Sequence, residues 1–202
     1  RTGLGIAVPE QLDGACPPVT STQQHFGHVL GELARHADIR RRIVTASPDV
    51  AVSTNLGNWI QKVGVYCPEE RCDFFETGHI PVLVRWKQSP AGQHLELGIS
   101  ENNLFLMLGA LGLSGDLLDE PLVPVGTLYD TFISRGLDAL HFALYNGARF
   151  ILAGTPSGIS LSPEGALHQS IMPPSFGIES PRITYYEPCF ARETEWILLD
   201  AV

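Results

Sequence analysis

A single carboxylate, Glu101, stands where one pattern of the sequence gives way to another. Gln93-His94-Leu95-Glu96-Leu97 alternates as a strand does, Gly98 turns the chain, and Glu101 opens the apolar run Asn102-Asn103-Leu104-Phe105-Leu106-Met107. A carboxylate at a strand's carboxyl end and a helix's first turn is held by backbone amides and faces the usual ligand crevice of an open α/β sheet. The competing reading is that Glu101 merely completes a helix start, a position that glutamate favours. Tyr129 and Phe132 follow the apolar stretch 121–125 and present two aromatic rings three residues apart, either lining a pocket or packing as an ordinary core pair. Glu164 and His168 are four apart and share a face if their glycine-rich segment is helical.

Taken in order, Gly98-Ile99-Ser100-Glu101, Tyr129-Asp130-Thr131-Phe132 and Ser162-Pro163-Glu164-Gly165-Ala166-Leu167-His168-Gln169 resemble the central, pyrimidine-binding domain of the thiamine diphosphate enzymes of the transketolase superfamily. The likeness is strongest to the homodimeric pyruvate dehydrogenase decarboxylating component of bacteria. Ile43-Val44-Thr45-Ala46-Ser47-Pro48-Asp49, Gly64-Val65-Tyr66-Cys67-Pro68, Gly154-Thr155-Pro156-Ser157-Gly158 and Tyr186-Glu187-Pro188 fit the same pattern, over roughly residues 20 to 202. A lone Gly-Ile-x-Glu is a weak signal; the ordered set is a specific one.

The resemblance implies a role for each residue. Glu101 would hydrogen-bond a ring nitrogen of the cofactor's aminopyrimidine and so activate thiamine diphosphate, with Tyr129 and Phe132 lining the pocket of that ring. Asp49, Glu164 and His168 would lie near the substrate, His168 as a second catalytic group able to donate to a carboxylate or an alkoxide. After Asp49 stands Val50, where the decarboxylating enzymes often carry a second acid. The family's magnesium site needs Gly-Asp-Gly followed downstream by Asn, but here Gly115-Asp116 runs into Leu117. No metal ligand is therefore assigned, and Mg2+ would come with the missing diphosphate-binding domain. The implied function is the pyrimidine half of a pyruvate dehydrogenase decarboxylating subunit, delivering an acetyl group to a lipoyl-bearing acyltransferase component. Implied partners are the diphosphate-binding domain and a second subunit of a homodimer; the isolated chain would be inactive. Two readings stand beside it, ketol transfer on sugar phosphates and a non-catalytic interaction module.

The elements that must position these residues follow from apolar periodicity. Residues 1–20, rich in Gly and Pro, read as a linker or arm, and 21–202 as one α/β domain with a mostly parallel sheet flanked by helices in three layers. A helix is expected over 22–37, capped by Thr22, then a strand at 43–46 and a short helix over 55–62. Residues 67–78 read as irregular. Strands are expected at 82–86, 94–97, 122–125, 150–153 and 183–186, with helices from Glu101 to 113, over 130–145 and at the carboxyl end. The 150–153 run has the continuous apolar character of a strand covered on both faces. The helix after Glu101 is apolar all round and asks for cover on every side. Both ends look cut, so the chain reads as a piece of a longer polypeptide.

Composition narrows the function classes. With 202 residues, 44% of them hydrophobic, the chain can bury one substantial core, and a net charge of −9 argues against a nucleic-acid partner. Arg40-Arg41-Arg42 closes a helix, where cations suit the negative end. No apolar run approaches the ~20 residues of a membrane helix, and no secretory signal is visible. Cys16, Cys67, Cys72 and Cys189 lack metal-site spacing and are expected as free thiols in a reducing, cytoplasmic setting.

Overall fold

The computed structural model describes residues 5, 7–13, 17–69, 74–81 and 86–202. Helix α1 (Thr22–Leu33) begins one residue earlier than the Thr22 cap predicts. The Ser21 hydroxyl accepts from the Gln24 amide, and the Gln24 side chain accepts from the Ser21 amide, a capping box that satisfies two end donors. A short α2 (Ala37–Arg40) carries Arg40 in its last turn, as its negative end favours. Then follow β1 (Ile43–Ser47), α3 (Gly57–Val63), β2 (Val65–Tyr66), α4 (Phe74–Thr77), β3 (Gln88–Ser89) and β4 (His94–Glu96). Gly98 adopts a φ of 65°, which a residue without Cβ tolerates, and turns β4 into α5 (Glu101–Gly112). The chain continues through α6 (Ser114–Leu118), β5 (Val123–Leu128), a 3-10 stretch at Asp130–Gly136, α7 (Leu137–Tyr145), β6 (Ile151–Gly154), α8 (Pro173–Glu179) and α9 (Ala191–Ala201).

The six strands form one sheet in the order β3-β2-β4-β1-β5-β6, and every pairing is parallel. Thr45 of β1 lies opposite His94 on one side and Val125 on the other, and Val125 lies opposite Ile151. From β1 the chain moves to one side for β2, β3 and β4, then to the other for β5 and β6. The direction of winding therefore reverses beside β1, which is where open α/β sheets leave a crevice at their carboxyl edge.

Alternate residues of the strands feed two cores, as the two-residue period of a strand requires. Ile43, Val123 and Val125 pack with Phe26, Val29, Leu30, Leu33, Trp59 and Leu198 under α1, α3 and α9. Ala46 and Leu128 pack with Leu104, Phe105, Leu108 and Leu140 under α5 and α7. Leu108 comes so close to Gly126 of β5 that a Cβ there would overlap its side chain, which seats α5 directly on the sheet. The three-layer α/β architecture expected from the sequence is the one observed.

Several expectations differ in detail. The predicted helix over 130–145 starts as a 3-10 stretch before α7 takes over. Residues 183–186 are not a strand: Tyr185 and Tyr186 are exposed, and β6 remains the sheet's edge among the described residues. Accordingly β6 is half-buried along its length rather than enclosed. Helix α5 buries Leu104, Phe105 and Leu108 but leaves Leu106 exposed, so one flank of this apolar helix is open in the single chain. The predicted strand at 82–86 falls almost wholly on residues outside those described, as do Cys16 and Cys72. Part of the amino-terminal arm lies on this chain's own core, with Leu12 buried against α1 and α9.

Candidate functional site

The carboxyl ends of three adjacent strands close around one cavity of about 240 Å3. Pro48, Asp49 and Val50 come from the end of β1, and Ile99 and Glu101 from the turn after β4. Tyr129, Phe132 and Arg135 come from the segment after β5. Asp49, Glu101, Tyr129 and Phe132 are thus brought together by parallel register, although 83 positions of sequence separate Asp49 from Phe132. A second hollow of about 370 Å3 lies at the opposite edge, beside Arg41, Val44, Gln93 and Leu111, and holds no carboxylate.

Glu101 is the first residue of α5, at the helix end where a negative charge is favoured, and is 7% exposed. Its Oε1 accepts a hydrogen bond from Arg135 Nη1 at 2.9 Å. The same guanidinium lies 3.9 Å from the centroid of the Phe132 ring, a cation–π contact. Phe132 in turn lies nearly parallel to Tyr129, with centroids 5.9 Å apart and planes inclined by 12°. The His168 ring meets Phe132 edge-on at 5.3 Å. Carboxylate, guanidinium, two aromatic rings and an imidazole therefore form one continuous cluster.

Asp49 has a left-handed backbone, φ 63°, and its amide donates to Glu96 Oε1 at 2.7 Å. Glu96 Oε2 lies 3.4 Å from His94 Nε2, and His94 Nδ1 lies 2.9 Å from the Thr45 hydroxyl. This run of polar contacts, buried at His94 and Thr45, holds Asp49 at the lip of the cavity. Asp130 turns inward from the same segment as Tyr129. Its Oδ2 accepts from the Gly158 amide at 3.1 Å, tying the chain beyond β6 to the site. Burial pushes the Asp130 carboxyl above its ordinary range; amide bonds from Gly158 and Thr131 oppose this, and the Glu187 charge adds to it. Burial also raises Tyr185, with the charges of Glu187 and Asp130 acting the same way.

Glu164 and His168 do not share a helical face. Glu164 closes a 3-10 stretch (Gly158–Glu164), Gly165 breaks the path at φ 97°, and Ala166–His168 forms a separate turn. Glu164 is exposed and does not line the cavity, so of this pair only His168 joins the cluster. Gly115 and Asp116 lie within α6, at the far end of α5 from Glu101. Among the described residues no group of three His, Cys, Asp or Glu side chains is arranged to hold a metal ion. Sequence reasoning passed over Arg135, Asp130 and the His94–Glu96 pair. A cation three residues after Phe132 was the available signal for Arg135, and the two-residue strand period that puts His94 and Glu96 on one face was the signal for that pair; the meeting of Asp130 with the Gly158 amide is long-range and has no local pattern.

Comparison with known proteins gives the family of this arrangement. A family model described as the pyruvate dehydrogenase E1 component middle domain matches residues 7–202. The chain is 29% identical over 169 residues to the pyruvate dehydrogenase E1 component of Mycolicibacterium smegmatis, covering 83% of the chain and 18% of that protein. It is 24% identical over 189 residues to the E1 component of Pseudomonas aeruginosa, covering 93% of the chain and 21% of that protein. The chain thus spans about a fifth of the length of these relatives. Among solved structures, a transketolase from Pichia stipitis superposes with a TM-score of 0.73 at 19% identity, over 95% of this chain and 25% of that one, a likeness of fold.

Proposed function

The chain belongs to the pyruvate dehydrogenase E1 component middle-domain family, and from that premise we propose that it is the pyrimidine-binding domain of a thiamine diphosphate-dependent pyruvate dehydrogenase. The observation that carries the reading is one cavity at the carboxyl edge into which both a nearly buried carboxylate, Glu101, and the ring pair Tyr129–Phe132 open. A flat aminopyrimidine asks for those two things together, a proton-sharing carboxylate for its ring nitrogen and an aromatic surface for its face. The residues present fit that group.

Thiamine diphosphate, when bound, supplies the nucleophilic carbon and the electron sink for decarboxylation. The chain's own residues orient and proton-manage. Glu101 holds or shares a proton at the ring nitrogen; Tyr129 and Phe132 fix the ring plane. His168, packed on the edge of Phe132, donates to the substrate, with Asp49 at the cavity lip as a second substrate contact. Glu164 reaches the substrate only if its segment is repositioned against a partner, since it is exposed in the single chain. Magnesium and the diphosphate would be held by a separate domain. The exposed Leu106 flank of α5 supports a dimer in which a second subunit covers the site's edge. Acetyl transfer to a lipoyl-bearing acyltransferase completes the proposed reaction. No helix among the described residues is long and apolar enough to cross a membrane. The proposed cytoplasmic setting is one in which free thiols such as Cys67 and Cys189 persist.

The deciding experiment is Glu101→Gln in the full-length polypeptide. Gln keeps the shape but cannot exchange the proton, so pyruvate decarboxylation should fall by about a hundredfold or more with the fold intact. Wild-type turnover by that variant would refute the reading. Faster turnover of a ketose phosphate than of pyruvate by the unaltered protein would shift it to ketol transfer.

A further inference from the structure

We propose that Arg135 is a built-in competitor for the pyrimidine place, a guanidinium that occupies the Glu101 carboxylate and the Phe132 face together and must leave both before the cofactor can settle. This inference rests on the pyrimidine-binding reading of the cavity. Its evidence is the coincidence of two contacts on one side chain. Arg135 Nη1 donates to Glu101 Oε1 at 2.9 Å, and its guanidinium carbon sits 3.9 Å over Phe132. A planar, delocalised cation satisfies a carboxylate and stacks on a ring at once, the same pair of demands a protonated aminopyrimidine makes.

The burial of the partners decides which of them moves. The Glu101 side chain is 8% exposed and fixed on the first turn of α5, whereas that of Arg135 is 53% exposed at the end of a 3-10 stretch. Arg135 can swing into water at little cost, and Glu101 cannot. In its observed position Arg135 neutralises a carboxylate that would otherwise stand unpaired beside an apolar cavity lined by Val50 and Ile99. It therefore shields the Glu101 charge and lowers the site's affinity for the cofactor by the strength of the contacts it gives up. Arg135 acts here as an affinity-setting residue, not a catalytic one.

The test measures magnesium–thiamine diphosphate binding to the full-length protein by calorimetry, for the wild type, Arg135→Met, Arg135→Lys, Glu101→Gln and the Arg135→Met/Glu101→Gln double variant. Methionine keeps a side chain against Phe132 but removes the charge, so cofactor Kd should tighten by roughly three- to tenfold, the range for a part-exposed ion pair with a ring contact. Lysine, which retains charge without the planar fork, should fall between the two. In the Glu101→Gln background, Arg135→Met should give a markedly smaller gain, because the competitor has lost its anchor. Unchanged or weaker binding by Arg135→Met in a protein with unaltered thermal unfolding would overturn the inference while leaving the pyrimidine reading intact. Failure of Glu101→Gln to alter either binding or turnover would instead remove the reading on which it rests.

Discussion

Two glutamates of this fold stand on helices, are nearly buried and touch an arginine, yet they are built to opposite ends. Glu195 of α9 is 1% exposed. Its Oε1 accepts from the Leu12 amide at 3.1 Å and from Arg192 at 2.8 Å, while Oε2 lies 3.4 Å from His25 Nε2. Both oxygens are spoken for by groups from three parts of the chain, so the carboxylate works as a fastener for α1, α9 and the amino-terminal arm. Glu101 has Arg135 as its partner and an open cavity beside it. A structural carboxylate is saturated from within; one available for chemistry keeps bonding capacity facing outward.

The sharpest way to break this contrast is Glu195→Ala. It removes a buried partner of His25 and the carboxylate that holds the Leu12 amide, so stability should fall by about 3 kcal/mol, the scale for removing one partner of a buried ion pair. Urea unfolding measures it, and a loss within experimental error would show that the network is ornamental. The companion change, Glu101→Gln, should alter stability by no more than about 1 kcal/mol, because the Arg135 side chain is largely exposed and can turn to water. If the two variants were equally destabilised, the distinction between fastener and working group would collapse.

Asp130 sharpens the comparison through pH. Its carboxyl is raised by burial, so the folded state holds its proton more tightly than the unfolded chain does. That contribution to stability is full below the ordinary aspartate range near pH 3.8 and is lost as pH rises through the raised folded value. Asp130→Asn keeps an oxygen acceptor for the Gly158 amide without the charge. Its melting temperature relative to wild type should therefore climb as pH rises above about 3.8; a constant difference would contradict the assignment. The smallest effect is expected at Arg35, which pairs with Glu32 at 2.7 Å but is 69% exposed. Arg35→Ala should cost no more than about 0.5 kcal/mol in the same unfolding experiment, showing that burial rather than pairing distinguishes Glu195.

The sequence made the central part of this picture legible, for reasons that can be traced. The strands at 43–47 and 123–128 and the helix from Glu101 are long or apolar enough for periodicity to mark them. Residues 183–186 have the aromatic and β-branched character of a strand but gain no pairing partner among the described residues, and a strand without one has no ladder to join. The two-residue strands β2 and β3 carry no periodicity at all. At the candidate site, Glu101, Tyr129 and Phe132 were readable as candidates because each lies within a few residues of a strand's end. Arg135 was not, since its meeting with Glu101 depends on β4 and β5 lying on either side of β1.

That central placement of β1 also has a consequence in time. As the polypeptide leaves the ribosome, at about 5–20 residues per second, β1 appears before either strand that will flank it. Its neighbours on the two sides are first met at His94 and Val123, so several seconds of synthesis separate the strand from its partners. Throughout that interval Ile43, Val44 and Ala46 have no sheet to join, and only α1 and α3 are at hand to shelter one side of them. The arrangement that later assembles a site from distant loops makes the nascent chain's middle strand the one left waiting, and long-range parallel pairing is slow to relieve it.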